Sequence, residues 1–145
     1  MKKVAISACL MGETCRYDAS HNRDDSLLEK LKDFELILFC PEDHVFGSPR
    51  PTMDLVETGE GIKAISNKTK IDLSFAIEGY ANAFFEKYSD IDLFIGKDRS
   101  PSCGVCSARL YDHEKNLLSL DEAGLMAKEA KARGIKAVDA EKYEG

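Results

Sequence analysis

Three cysteines of this chain each follow or end a short apolar run, and the thiolate of cysteine is both a nucleophile and a soft metal ligand. Cys9 comes after "KKVAISA", Cys40 ends "ELILFC", and Cys103 lies in the loop that follows "IDLFIGK". Cys15 lies in the same turn-rich stretch as Cys9. Buried packing, redox pairing and metal ligation are the uses open to them. Thiolates that converge among polar loops need a cation to neutralise them, which favours a metal or an iron-sulfur cluster.

The motif "CGVC" places Cys103 and Cys106 three positions apart in the sequence. Redox dithiols, zinc knuckles and iron-sulfur sites all use this spacing. A zinc site usually has a second cysteine pair or a histidine pair, whereas His21, His44 and His113 are scattered along the chain. Zinc is therefore disfavoured. Three roles stay open for Cys106: a fourth ligand, a resolving thiol, or none in the chemistry.

Polar side chains lie in the same loops as the cysteines. Glu42 directly follows Cys-Pro at the end of an apolar run, and Ser100 and Ser102 flank the proline of "RSPSCG". Most polar residues of such loops are solvated turn caps. Glu42 differs, because partial burial beside a metal group would suit its carboxyl to act as a general acid or base.

The elements that position these residues alternate between strands and helices. "KKVAISA" and "ELILF" are predicted strands, and "SLLEKLKDF" between them is a predicted helix, which together indicate a parallel βαβ unit. "PEDHVFGSPRPTMD" has the prolines and glycine of a loop. "DLVETGEGIKAISN" alternates around a turn signal and predicts a hairpin or an insertion.

The second half of the chain continues this alternation. A long amphipathic helix is predicted to begin near Asp72 or Ser74, with an apolar face that includes Phe75, Ile77 and Phe85. "IDLFIGK" is a predicted buried strand, followed by the loop "DRSPSCGVCSARLYDHEKN". "SLDEAGLMAKEAKARG" predicts a helix with an acidic start, and "IKAV" a last strand.

The sequence thus predicts one α/β domain over residues 1–145, a Rossmann-like three-layer sandwich with a mostly parallel sheet. Cys9, Cys40 and Cys103 all stand beyond the carboxyl ends of predicted parallel strands. Ligands of open α/β sheets bind at that edge. Cysteines that are far apart in sequence are therefore expected to converge in space.

Composition narrows the class of partner. The formal net charge of -6 argues against the basic face that general nucleic-acid binding requires, so a small molecule is expected. No apolar run approaches the ~20 residues of a membrane span, and "MKKVAISACLMG" lacks the pattern of a signal peptide, which predicts a cytoplasmic protein with no membrane partner. "MGET" lacks the glycines of a phosphate-binding loop.

Four ordered motifs, "SACLMGETCRYD", "CPE", "SPRPTMDLV" and "RSPSCG", resemble those of the thiouracil desulfurase (desulfidase) family, small iron-sulfur proteins formerly classed as a domain of unknown function. The likeness runs from Val4 to Tyr111 and continues weakly beyond. It implies an α/β protein with a 4Fe-4S cluster held by three cysteines. The open fourth iron would take the sulfur of 2- or 4-thiouracil, and non-redox hydrolysis would release uracil and sulfide.

The resemblance also assigns the cluster ligands. The family's cysteine positions fall on Cys9, Cys15, Cys40 and Cys103. Cys9, Cys40 and Cys103 are the favoured ligands because they come from three strand ends, with Cys15 as a spare or alternative.

The remaining roles follow from the same motifs. The acid/base role falls on Glu42, and a serine that holds substrate or relays a proton falls on Ser100 or Ser102. The alternative function is a cluster carrier or thiol redox protein without hydrolytic activity. A carrier would close its cluster with Cys15 or Cys106.

Overall fold

The computed structural model describes residues 2–12, 23–47 and 51–144, and its strands form two four-stranded sheets. Cys15 lies outside the described residues. The strands are β1 (Lys3–Ser7), β2 (Glu35–Phe39), β3 (Met53–Thr58), β4 (Gly61–Ser66), β5 (Leu93–Gly96), β6 (Ala108–Tyr111), β7 (Leu117–Glu122) and β8 (Lys136–Asp139). The helices are α1 (Asp25–Lys30), α2 (Pro41–Phe46), α3 (Ser74–Lys87) and α4 (Leu125–Ala132).

The first sheet is parallel throughout and has the strand order β2-β1-β5-β8. Because side chains alternate between the faces of a strand, its apolar residues divide into two core clusters. Ile6 and Ile95 pack with Leu27 on the α1 side, and Ala5 and Phe94 pack among residues of α3 and α4 on the other. Helices therefore cover both faces, as expected of an α/β protein.

The second sheet is mixed, with the order β4-β3-β6-β7. Strands β3 and β4 form an antiparallel hairpin, β3 and β6 pair in parallel, and β6 and β7 are antiparallel. Leu55, Ala64 and Leu110 of this sheet pack with Ile77 of α3 and Leu125 of α4 in a third apolar cluster. The two sheets thus share α3 and α4 as neighbours.

Much of the predicted order of elements is confirmed. The α/β class is correct, and strands β1, β2, β5 and β8 and helices α1, α3 and α4 lie where the apolar patterns indicate them. The "TGEG" stretch is the hairpin turn between β3 and β4. In the part of the chain that the structure describes, no helix is both long and apolar enough to cross a membrane.

Four local predictions are wrong. The stretch after Cys40 begins with a helix, α2, because Pro41 fits the first helical turn and the acidic residues after it favour a helix N-terminus. "ARLY", predicted to be part of a loop, forms β6. "LLSLDE" forms β7, so the acidic residues predicted to start the last helix belong to a strand. Phe75 is 91% exposed, because it lies two residues, about 200°, from the buried Ile77 on the helix.

Candidate active site

A cavity of about 500 Å³ opens at the carboxyl ends of β1, β2 and β5, and the mixed sheet forms part of its wall. Cys9, Cys40 and Cys103 all line it. The convergence predicted from the strand ends is therefore present, because β1 pairs in parallel with both β2 and β5. The cavity lies within the size range of small-molecule pockets, roughly 300–1,000 Å³.

Cys9 lies in a short 3-10 turn, Ala8–Met11, that directly follows β1. Its side chain is buried, and its Sγ forms a hydrogen bond of 3.4 Å with Ser7 Oγ. Gly12 ends the turn at φ +96, a left-handed conformation that suits glycine, and donates its N–H to the Cys9 carbonyl. The turn fixes the cysteine at the strand end.

Cys40 joins the end of β2 to the start of α2. Its backbone N–H donates to the hydroxyl of Tyr80 on α3 at 3.2 Å, and its carbonyl accepts from His44 N–H at 3.0 Å. The residue is half-buried. The backbone of this second cysteine is thus held by helices on both sides.

Cys103 lies in the loop that leaves β5, and its side chain is buried. The Oγ of Ser100 accepts the N–H groups of Ser102 and Cys103, each at 3.2 Å. Burial above all, with smaller contributions from the nearby Cys9 and Glu42, raises the pKa of the Cys103 thiol to about 12, against the lowering effect of hydrogen bonds with Ser100 and Lys97. A thiolate at this position therefore requires a neutralising cation.

Two glycines let the Cys103 loop pack against neighbouring backbone. A Cβ at Gly96, the last residue of β5, would lie 1.7 Å from the Cys103 carbonyl oxygen. A Cβ at Gly124, just before α4, would lie 2.5 Å from the carbonyl carbon of Ser102. Any larger residue at either position would displace the loop.

Glu42 lies in the first turn of α2 and also lines the cavity. The hydroxyl of Ser102 donates to its Oε2 at 2.9 Å. Ser102 is fully buried and does not reach the cavity surface, whereas Ser100 is part of the lining. Ser102 therefore contacts the carboxylate, and Ser100 shapes the cysteine loop.

The chain resembles known proteins in both sequence and structure. The profile of the family described as 2-thiouracil desulfurase matches residues 4–142. The chain belongs to the 2-thiouracil desulfurase family. A solved structure, that of the 4Fe-4S-dependent thiouracil desulfidase TudS, superposes with a TM-score of 0.77 at 25% identity, over 98% of this chain and 93% of that one. The uncharacterized protein YbbK of Bacillus subtilis (strain 168) is 25% identical over 93% of each chain.

The resemblance to the 2-thiouracil desulfurase family is thus confirmed, and most residues assigned through it share one site. Of the residues assigned through it, Ser102 is buried against Glu42 and does not line the cavity, and Cys15 lies outside the described residues. Cys106, which the family's cysteine positions do not include, is exposed and absent from the cavity wall. The Sγ of Cys106 lies 3.7 Å from the Nζ of Lys131. Among the described residues, no three histidine, cysteine or acidic side chains converge on one point as ligands of a single ion would.

Sequence reasoning missed part of the cavity wall in this member of the 2-thiouracil desulfurase family. Asn67, Arg109 and Tyr111 line that part, whereas the lining residues Thr52 and Asp54 belong to the motif "SPRPTMDLV". Arg109 and Tyr111 belong to β6, a strand that the apolar pattern did not indicate. Their only sequence signal is the short alternation of apolar and polar residues in "ARLY".

Proposed function

We propose that the chain is a thiouracil desulfurase-like enzyme that hydrolyses the carbon-sulfur bond of a thiolated nucleobase such as 2- or 4-thiouracil. The products would be uracil and sulfide, with no net electron transfer. The observation that carries the proposal is the shared cavity, which brings Cys9, Cys40 and Cys103 together with the carboxylate of Glu42. The 4Fe-4S dependence of the similar thiouracil desulfidase supports the cofactor.

The residues present fit a 4Fe-4S cluster. Cys9, Cys40 and Cys103 would hold three of its irons from three loops, and a cubane needs separate ligands at separate corners, not a single point of convergence. The burial that raises the pKa of Cys103 to about 12 disfavours an unneutralised thiolate there. When bound, the cluster supplies a soft Lewis acid for a thiocarbonyl sulfur.

Glu42 is the proposed acid/base. Its carboxylate would take one proton from the water whose oxygen bonds to the ring carbon, and pass it to the ring nitrogen. The hydroxyl added to that carbon would lose its remaining proton to the departing sulfur as the carbon-sulfur bond breaks, which leaves the uracil carbonyl and releases hydrosulfide. Such proton transfer typically contributes about 100- to 10,000-fold to the rate. The hydrogen bond from Ser102 fixes the carboxylate, and Ser100, which lines the cavity, is the proposed contact to the substrate.

The broader setting is proposed on the same grounds. The domain would span residues 1–145, with the parallel sheet and its helices as the Rossmann-like three-layer part. The enzyme would act in the cytoplasm, where glutathione and thioredoxin keep thiols reduced.

Oxygen-free reconstitution tests the proposal. The full chain is loaded with iron and sulfide, its iron and its visible spectrum are measured, and 4-thiouracil is added. About four irons per chain, a thiolate-to-iron band that shifts with substrate, and release of uracil are the expected results.

Two cysteine variants make the test specific. Cys103→Ser should lose the cluster, whereas Cys106→Ser, three residues away and exposed, should keep both cluster and turnover. Four irons without a spectral shift or product would indicate a carrier with a closed cluster. No iron uptake would refute the cofactor.

A further inference from the structure

We infer that Asp139 is a positioning residue that fixes the loop of Cys103 and separates the two thiols of the "CGVC" motif, one at the cavity and one at the surface. The inference rests on the proposed function for its consequence in catalysis. Asp139 ends β8 and is only 4% exposed. It does not line the cavity, so it acts through the loop.

The Asp139 carboxylate accepts three hydrogen bonds from consecutive residues. Its Oδ1 accepts from Val105 N–H at 2.7 Å and from the Ser107 hydroxyl at 2.8 Å, and its Oδ2 accepts from Cys106 N–H at 2.8 Å. Hydrogen bonds to a charged acceptor are stronger than neutral ones. Both carboxylate oxygens are therefore committed to the segment that directly follows Cys103 and Gly104.

Strand register brings this carboxylate to the loop. Asp139 pairs with Gly96 where β8 runs parallel to β5, and the backbone of Gly96 is the surface against which the Cys103 carbonyl packs. The loop is thus held by close backbone contact on Cys103 and by the Asp139 hydrogen bonds after it. This double attachment fixes the backbone direction on both sides of Gly104.

The two thiols take opposite environments as a result. Cys103 is buried and lines the cavity, whereas Cys106 is exposed beside Lys131. Lys131 Nζ also donates to the Val105 carbonyl at 2.8 Å, which holds the same segment from α4. With its N–H bound to Asp139, Cys106 is kept at the surface and away from the proposed open iron.

Asp139→Asn tests the inference, because an asparagine has one acceptor oxygen, and its amide group would face an N–H donor. Each full-length protein is treated with N-ethylmaleimide before and after reconstitution, and labelling of each cysteine is followed by mass spectrometry. Before reconstitution, labelling of Cys103 should quicken at least tenfold. Cys106, already exposed, should change little, and Cys9, buried in a different cluster, should report any general opening.

A matched control removes a similar carboxylate from elsewhere. Asp112 accepts the N–H groups of Glu114 and Asn116, each at 2.9 Å, in the exposed turn between β6 and β7. Asp112→Asn should leave Cys103 labelling unchanged. After reconstitution, Asp139→Asn should lose iron to a chelator several times faster than the wild type or Asp112→Asn.

Unchanged labelling of Cys103 in Asp139→Asn would overturn the inference, as would equal acceleration at Cys9 and Cys103. If that variant does not fold, Ser107→Ala removes one of the three donors to Asp139, together with the acceptor of the Arg99 N–H, and should accelerate Cys103 labelling about two- to fivefold. Failure of the wild type to take up iron would refute the proposed cofactor. The labelling contrast before reconstitution would still decide the role of Asp139.

Discussion

Glu42 has a side chain on the cavity wall and a hydrogen bond from the buried Ser102 hydroxyl. Glu42→Gln keeps the shape of the side chain but removes its proton-transfer capacity. We expect the cluster to be retained and kcat to fall about 100- to 10,000-fold. Iron analysis and uracil release measure the two effects, and Asp43→Asn, on the same helix but off the cavity wall, is the control.

Substitution of Ser102 tests the same role of Glu42, because the Ser102 hydroxyl donates to the Glu42 carboxylate. If Ser102 acts only through Glu42, Ser102→Ala should lower kcat roughly tenfold in the wild type, the worth of one charged hydrogen bond, and hardly at all in Glu42→Gln. Additive losses would contradict this coupling. Full turnover in Glu42→Gln would remove the carboxylate from the mechanism.

At the residue scale, the positions of the cysteines in the sequence predicted where the site lies. The sequence did not predict which way individual side chains of the site point. Cys9, Cys40 and Cys103 follow parallel strands, so their convergence follows from the topology. Nothing in "RSPSCG" indicates that Ser102 turns inward to Glu42 while Ser100 lines the cavity. The hydrogen bonds that Asp139 accepts can form because β8 lies beside β5. Local sequence does not specify that pairing of strands.

At the element scale, the start of α4 is packed against the cysteine loop. Gly124→Ala would place a methyl group 2.5 Å from the Ser102 carbonyl carbon, and backbone there must move. We expect a loss of about 1–3 kcal/mol in the free energy of unfolding and weakened iron binding. Denaturant titration and iron analysis check both.

Gly79 is the matched control for that substitution. It lies within α3, and a Cβ there would meet no heavy atom within 4 Å. Gly79→Ala should raise the free energy of unfolding by about 0.5–1 kcal/mol, because alanine favours the helix. A stable Gly124→Ala protein with normal iron content would show that the loop tolerates displacement.

The start of α3 carries a pH-dependent contribution to stability. Burial acts to raise the pKa of Asp72, but hydrogen bonds with Ser74 outweigh it, and Lys63 adds to them, so the pKa is lowered. A carboxyl with a lowered pKa in the folded state stabilises the fold above its unfolded pKa of about 3.9, and this stabilisation is lost as pH falls through the folded pKa.

Asp72→Asn isolates that contribution. The variant should be less stable than the wild type by about 0.5 kcal/mol at pH 7, since Asp72 is exposed, and the difference should shrink below about pH 4. Urea titrations across this range measure it. Glu78→Gln, exposed further along the same helix, is the comparison variant, and a constant difference for Asp72→Asn would contradict the assignment.

Elements with strong local signals were predictable and those with mixed signals were not. β2 has the sequence "ELILF", which is apolar after its first residue, and the predicted strand has the observed bounds. In β7, by contrast, Leu117, Leu118 and Leu120 are exposed on an edge strand, so burial does not create a clear pattern. Its last two residues, "DE", come shortly before α4, and acidic residues at that position are typical of the first turn of a helix.

At the scale of the whole molecule, the three proposed ligands follow three strands of the parallel sheet. A cluster bound by Cys9, Cys40 and Cys103 would stabilise the folded state, because the unfolded chain does not present the same site. We expect removal of iron by a chelator to lower Tm by roughly 5–15 °C.

Scanning calorimetry of the loaded and stripped protein measures this shift. Cys106→Ser should show the same shift as the wild type, because Cys106 lies off the cavity wall. If the loaded protein binds four irons but has the same Tm as the stripped protein, the proposed cysteine ligands do not link separate elements of the fold.

The second sheet is the largest feature that the sequence did not reveal. The predicted hairpin of β3 and β4 is half of it, but β3 pairs with β6 through Leu55 and Leu110, which are 55 residues apart. Such non-local pairing leaves no local periodicity. The class of fold was therefore predictable, whereas the division into two sheets was not.

The two sides of the cavity have separate origins in this architecture. Cys9, Cys40 and Cys103 belong to loops of the parallel sheet, whereas Asn67, Arg109 and other lining residues belong to the mixed sheet or its flanks. Under the proposed function, an evolving lineage or a library in directed evolution could vary Asn67 or Arg109 without mutating the proposed cluster ligands. Substrate selectivity and the proposed cluster would then be open to separate mutation.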